Sequence, residues 1–334
     1  MKVDPPDFVT LASMPEGKSA SAPPMPEMVP LSAPASFARL KRFGIFALVL
    51  CALFCQPLFD LVRFSLHREL HSHMFLIPII SGYLVWLRRK ERLPIPSSSP
   101  ALAIIPLAVG LLALQGLLFG QRPVASLRPN DYLSLASFSF LCFLWSGALV
   151  FLGWKLLREL AFPAAFLIFI VPLPTVAENA IEVFFQYASA DAAALMFGIS
   201  GSTVFRTGLV FQLPGITIQV AQECSGIRSS LVLFITSLIA GHMFLRTPWR
   251  RAVLTLFVIP LAILRNGFRI FTIAMLCVHV NPDMIDSPIH HRGGPIFFAL
   301  SLIPFFLLLL WLWRAERRHV QPPEDRAESG PASG

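Results

Sequence analysis

The sequence predicts an all-α integral membrane protein with about eight transmembrane helices and a small extracytoplasmic hairpin before Cys224. Three observations predict it. The chain has 334 residues, 55% of them hydrophobic with 30 phenylalanines, and only 14% charged, against roughly 25% in soluble domains. Successive apolar runs approach the ~20 residues that a spanning helix needs. Basic residues gather in short clusters at the ends of those runs, which is how membrane orientation is encoded. That placement accounts for the formal charge of +8 without nucleic acid, which would require a basic face on a soluble domain.

Residues 1–37, rich in Pro, Ser, Met and Ala, read as a disordered cytoplasmic tail, 38–318 as the membrane domain, and 319–334 as a second cytoplasmic tail. The first span covers residues 43–66 behind Arg39, Lys41 and Arg42, and a polar loop with His71 and His73 follows. A short second span reaches Leu87 and is closed by Arg88-Arg89-Lys90-Glu91-Arg92, which fixes that loop inside. Residues 93–99 are a connector with Pro94 and Pro96. Spans three (101–119) and four (132–154) flank an outer loop with Arg122 and Arg128, and Lys155 and Arg158 close span four inside. Span five (160–173) is short and interrupted by Pro163, Pro172 and Pro174. Ile181, Phe184, Phe185 and Ala188 then recur at helical spacing, so residues 178–197 read as an amphipathic helix at the outer interface. Residues 203–221, punctuated by Gly208 and Pro214-Gly215, read as the hairpin. Spans six (227–245), seven (252–280) and eight (295–313) follow, with Arg246, Arg250 and Arg251, then Arg314, Arg317 and Arg318, on the inside.

This count puts three polar islands at one outer depth. The first is Val220-Ala221-Gln222-Glu223-Cys224-Ser225-Gly226-Ile227-Arg228-Ser229-Ser230, at the mouth of span six. Of the five cysteines, Cys51, Cys55, Cys142 and Cys277 lie in apolar runs, and Cys224 alone has polar neighbours. A thiolate near a helix N-terminus and Arg228 would be stabilised, whereas Glu223 would oppose it. Cys224 is therefore either a nucleophile or a passive outer-leaflet cysteine. The second island is Arg265-Asn266-Gly267-Phe268-Arg269, with Arg269 about 17 residues or about 25 Å into span seven. An arginine there must face the bundle interior, a partner or water. It can bond a carbonyl oxygen or a carboxylate, or form a structural pair with Glu178, Glu182, Asp191 or Glu223, a role that suits the deeper Arg265. The third is His290-His291-Arg292-Gly293-Gly294, where a histidine could act as acid/base, stand solvated, or join His71, His73 and His279 at a metal. Those spacings match no ligand motif, so neither metal nor cofactor is expected.

Cys224-Ser225-Gly226-Ile227-Arg228, Asn266-Gly267-Phe268-Arg269 and His290 four residues before Gly294 together resemble the exosortase/archaeosortase family. Ser72-His73, Tyr83-Leu84-Val85-Trp86-Leu87-Arg88 and Pro172-Leu173-Pro174 add to the likeness, which covers residues 45–313 in order. The resemblance implies a membrane cysteine transpeptidase of the cell (inner) membrane. Its nucleophile would be Cys224, its oxyanion-stabilising or positioning group Arg269, and its acid/base His290, with His291 as rival. Ser225, Gly226, Arg228 and Asn266 would support them. Implied substrates are secreted proteins whose C-terminal sorting signal joins a short motif (Pro-Glu-Pro in exosortase substrates), a membrane helix and a basic cluster. Membrane lipids and exopolysaccharide assembly proteins are the other implied partners. The rival class is a transporter or flippase for an anionic lipid or polysaccharide precursor, since broken spans and intramembrane charges serve transport too.

Overall fold

The computed structural model describes residues 28–30, 34–67, 73–119, 128–220, 226–281 and 294–320, and helices dominate them. The expected tail 1–37 lies largely outside these residues. Within it, β1 (Met28–Pro30) pairs antiparallel with β2 (Arg92–Pro94), and Pro34 opens α1 (Pro34–Leu53). The first apolar run is not straight: α1 and α2 (Cys55–His67) meet at 76°. Pro57 explains the break, because it has no N–H to continue the ladder and fits only the first turn of a new helix. The apolar helix α3 (Leu76–Leu87) has 12 residues, short of the ~20 needed to span alone.

Helices α4 (Pro100–Phe119) and α5 (Pro129–Phe151) form a close pair. Ser139 Oγ donates to the Gly110 carbonyl at 2.5 Å and Ser146 Oγ to that of Ala103 at 3.0 Å. A Cβ on Gly110 would lie 2.9 Å from Cys142 Cβ, so small residues set this approach. After α6 (Gly153–Glu159) and α7 (Ala161–Phe166), a 3₁₀ turn (Leu167–Ile170) leads to the proline-flanked break and α8 (Thr175–Ile199). The two arms of this break, Ala161–Ile170 and Thr175–Ile199, are bent by 92°. The start of α5 holds it: Ser134 Oγ donates to the Pro172 carbonyl, Asp131 accepts from the Thr175 amide at 2.7 Å, and Asn130 donates to Glu178. Asp131 thus caps the donors that every helix start leaves open.

The expected hairpin is a three-stranded antiparallel sheet of β3 (Phe205–Thr207), β4 (Val210–Leu213) and β5 (Ile216–Gln219). Gly208 (φ +61°) and Gly215 (φ +82°) occupy its turns, and the first turn adds the strand that the sequence did not separate. The sheet packs through Phe211 on Phe197 of α8, together with Ile270 and Ala274 of the next long helix. Then come α9 (Ile227–Phe244), α10 (Pro248–His279) and α11 (Gly294–Val320).

Among the described residues five helices, α4, α5, α9, α10 and α11, are long and apolar enough to cross a membrane, and up to seven spans result if each bent pair counts as one. Leu48, Leu112 and Leu307 lie exposed on the outside of the bundle, as a lipid-facing surface requires. The central element is α10. One side meets α8 and the sheet, and the other builds a second core with Leu233, Leu254, Val258 and Phe305. At its N-terminal end the Glu316 carboxylate of α11 accepts from the amides of Arg246 (2.9 Å) and Thr247 (2.8 Å) and from the Thr247 hydroxyl.

Candidate active site

The sequence singles out one turn before α9 and one in α10, and the fold docks them on each other. Helix α9 begins at Ile227, with Gly226 as its N-cap in the left-handed conformation (φ +71°). A Cβ at Gly226 would lie 2.9 Å from Cγ and Oδ1 of Asn266 and 3.3 Å from Nη2 of Arg265. Both the backbone angle and the close approach therefore demand glycine. Asn266 is 2% exposed, so this is a buried polar junction. One residue on, Gly267 lets α10 close onto α8: its Cβ would meet Ala192 Cβ at 2.7 Å and the Ser189 carbonyl at 3.1 Å.

The Gly226 carbonyl is the hub of the junction. It accepts from the Ser230 amide (3.0 Å), Ser230 Oγ (2.8 Å), Ser229 Oγ (3.1 Å) and Arg265 Nη2 (3.2 Å). Arg265 Nη2 also lies 3.3 Å from Ser230 Oγ. The arginine is 8% exposed, and among the described residues its hydrogen-bond partners are a carbonyl and a hydroxyl, not a carboxylate. Of the acids considered for it, Asp191 instead pairs with Arg206 at 2.6 Å. Arg269, one turn further along α10, is half-buried, and Arg228 lies on the exposed side of the first turn of α9.

Cys224, Ser225, His290 and His291 lie outside the described residues. The residues that flank the cysteine stretch are both pinned. On one side Val220 donates its amide to the Leu209 carbonyl (2.9 Å), and its own carbonyl accepts from Gln186 Nε2 at 2.6 Å. On the other stands Gly226. Ser229 and Ser230 close the polar island that the sequence marks, whereas sequence reading does not single out Gln186. Gln186 left a signal, being a neutral polar residue on the same largely apolar face of α8 as Ser189.

A cavity of about 520 Å³ opens beside this junction, between Ile227, Ser230 and Leu231 of α9, residues 172–174, and Phe184 and Phe185 of α8. His73 also lines it. Its walls are almost wholly apolar, as suits a membrane-embedded segment rather than a polar metabolite. Among the described residues, no group of three His, Cys, Asp or Glu stands close enough to hold a metal ion.

A family model for transmembrane exosortases matches residues 65–307. No curated protein and no solved structure matches the chain. The matched stretch spans well over half of the sequence and takes in the break at 172–174, the Gly226 turn, and the Arg265 and Arg269 turn of α10. The chain therefore belongs to the transmembrane exosortase family, membrane proteins with a transpeptidase role in protein sorting.

Proposed function

We propose that this protein is a membrane-embedded cysteine transpeptidase acting on the C-terminal sorting signals of secreted proteins. The observation that carries the reading is the docking of the Gly226 turn, two residues after Cys224, onto Arg265 and Asn266, one turn from Arg269. That junction connects two of the three polar islands through described contacts.

In this reading His290 takes the proton of the Cys224 thiol, and the thiolate attacks a substrate carbonyl carbon. Arg269 donates to the oxyanion that forms, with His291, Ser225, Arg228 and Asn266 supporting. Collapse of the adduct breaks the C–N bond, His290 returns the proton to the departing amine, and a thioester remains on Cys224. An acceptor nucleophile then attacks the thioester, gives up its own proton, and leaves with the acyl group while the thiol is restored. The acceptor nucleophile is a lipid, a polysaccharide or water, and exopolysaccharide assembly proteins are partners.

In this reading the basic clusters are satisfied by eight spans with both termini cytoplasmic in the cell (inner) membrane. Arg269 follows Arg250 by 19 residues of α10, about 28 Å along the axis, and this separation supports reading the site as lying near the outer boundary of a ~30 Å layer. The substrate's membrane helix would run beside the enzyme, raising the effective concentration of its motif.

The test is a reporter with a sorting tail from the same genome, expressed with wild-type protein or Cys224→Ala and followed by mass. A mass shift present with wild type and absent with Cys224→Ala is expected. Processing that persists in Cys224→Ala contradicts the reading, and no shift with several genuine tails favours the transporter class.

A further inference from the structure

We propose that Arg265 is a positioning residue for this reaction. By holding the Gly226 carbonyl, it sets where the chain ahead of α9 enters the site and how far that point lies from the turn bearing Arg269. The inference rests on Cys224 being the nucleophile.

The hydrogen-bond inventory at Gly226 argues for it. A carbonyl oxygen has two lone pairs, and three donors from α9 itself, the Ser230 amide and the Ser229 and Ser230 hydroxyls, already meet this one. The arginine is therefore not needed to satisfy the helix start. What it adds is a bond between helices, from α10 to the first turn of α9, spanning 39 positions of sequence. It also comes at a cost, because a guanidinium 8% exposed and bonded to neutral groups is harder to bury than an apolar side chain of the same size. A strut that only held the helices together could be apolar. One that must fix a single peptide plane needs a directional, forked donor. Arg265 supplies it from the residue next to Asn266, which closes on the same glycine.

The experiment uses the full-length chain in lipid nanodiscs with the sorting-tail reporter. It compares wild type with Arg265→Gln, Arg265→Lys and Ser230→Ala. Turnover and KM are measured together with the thermal midpoint and the rate of Cys224 alkylation by a maleimide, followed by peptide mass spectrometry. Arg265→Gln is expected to lower kcat by about 10–100-fold with KM changed less than about twofold, the penalty of a nucleophile misplaced by a fraction of an ångström to an ångström. Its Cys224 alkylation rate should change as well. Arg265→Lys should fall between, since an ammonium can make either bond but lacks the planar fork, and Ser230→Ala should show a smaller loss. Wild-type kcat in Arg265→Gln, or a loss that only follows the folded fraction, overturns the proposal. Should Arg265→Gln not accumulate in folded form, wild-type kcat in both Arg265→Lys and Ser230→Ala overturns it. An inactive Cys224→Ala beside an active Arg265→Gln removes the positioning role and leaves the nucleophile intact. An active Cys224→Ala removes the nucleophile itself.

Discussion

Helix α10 carries two buried arginines, Arg250 in its first turn and Arg265 near its middle, and their surroundings differ. Arg250 and Arg265 are each 8% exposed. Near Arg250 the chain supplies a carboxylate: Glu316 ties the α9–α10 turn and stands within electrostatic reach of that arginine. Arg265 meets a carbonyl and a hydroxyl, and the next arginine, Arg269, follows one turn later. The first arrangement neutralises charge and fastens two helices. The second leaves Arg265 bonded to neutral groups at a buried junction beside an apolar cavity, where electrostatic interactions are stronger than in water. A reaction that develops negative charge on a thiolate and then on an oxyanion is served by the second arrangement and not by the first.

Substitutions at the two places should therefore fail differently. The largest effect is expected at Arg269. Arg269→Ala should lower kcat by about 10²–10³-fold, as loss of an oxyanion donor does, with the thermal midpoint little moved. Full turnover in that variant would erase the functional contrast between them. The Arg265 series falls below it, with the 10–100-fold loss already described. The smallest effect on turnover belongs to Glu316→Ala, which strips three hydrogen bonds from the α9–α10 turn. It should cost about 1–3 kcal/mol of stability, read as a lower thermal midpoint, while turnover per folded molecule stays within about twofold. A Glu316→Ala variant of normal stability and impaired turnover would show that the α9–α10 turn is not merely an anchor.

Much of this contrast was legible in the sequence, for a physical reason. Hydrocarbon tolerates so few polar groups that each cluster in an apolar run stands out, and the basic ends mark its depth. Gly208 and Pro214-Gly215 announced the turns of the small sheet, and Pro172 and Pro174 announced the break before α8. Pro57 carried the signal for the bend in the first apolar run, but average hydropathy conceals one proline. The role of Arg265 was not legible. Periodicity places it on a helix face, yet its partner is a backbone carbonyl 39 residues away, and backbone carbonyls leave no mark in a sequence. Gln186 was missed likewise, because its partner is the Val220 carbonyl. Of the carboxylates that the sequence offers Arg265, Asp191 is engaged by Arg206.

The central claim is a covalent acyl-enzyme on Cys224, and the most direct measurement is to look for it. Full-length protein and sorting-tail reporter would be mixed, quenched in acid during turnover, digested and analysed by mass spectrometry. The account predicts that the peptide carrying Cys224 gains the mass of the N-terminal reporter fragment, that hydroxylamine releases it, and that Cys224→Ala shows neither adduct nor processed reporter. Processed reporter from Cys224→Ala, or an adduct confined to another residue, would contradict it.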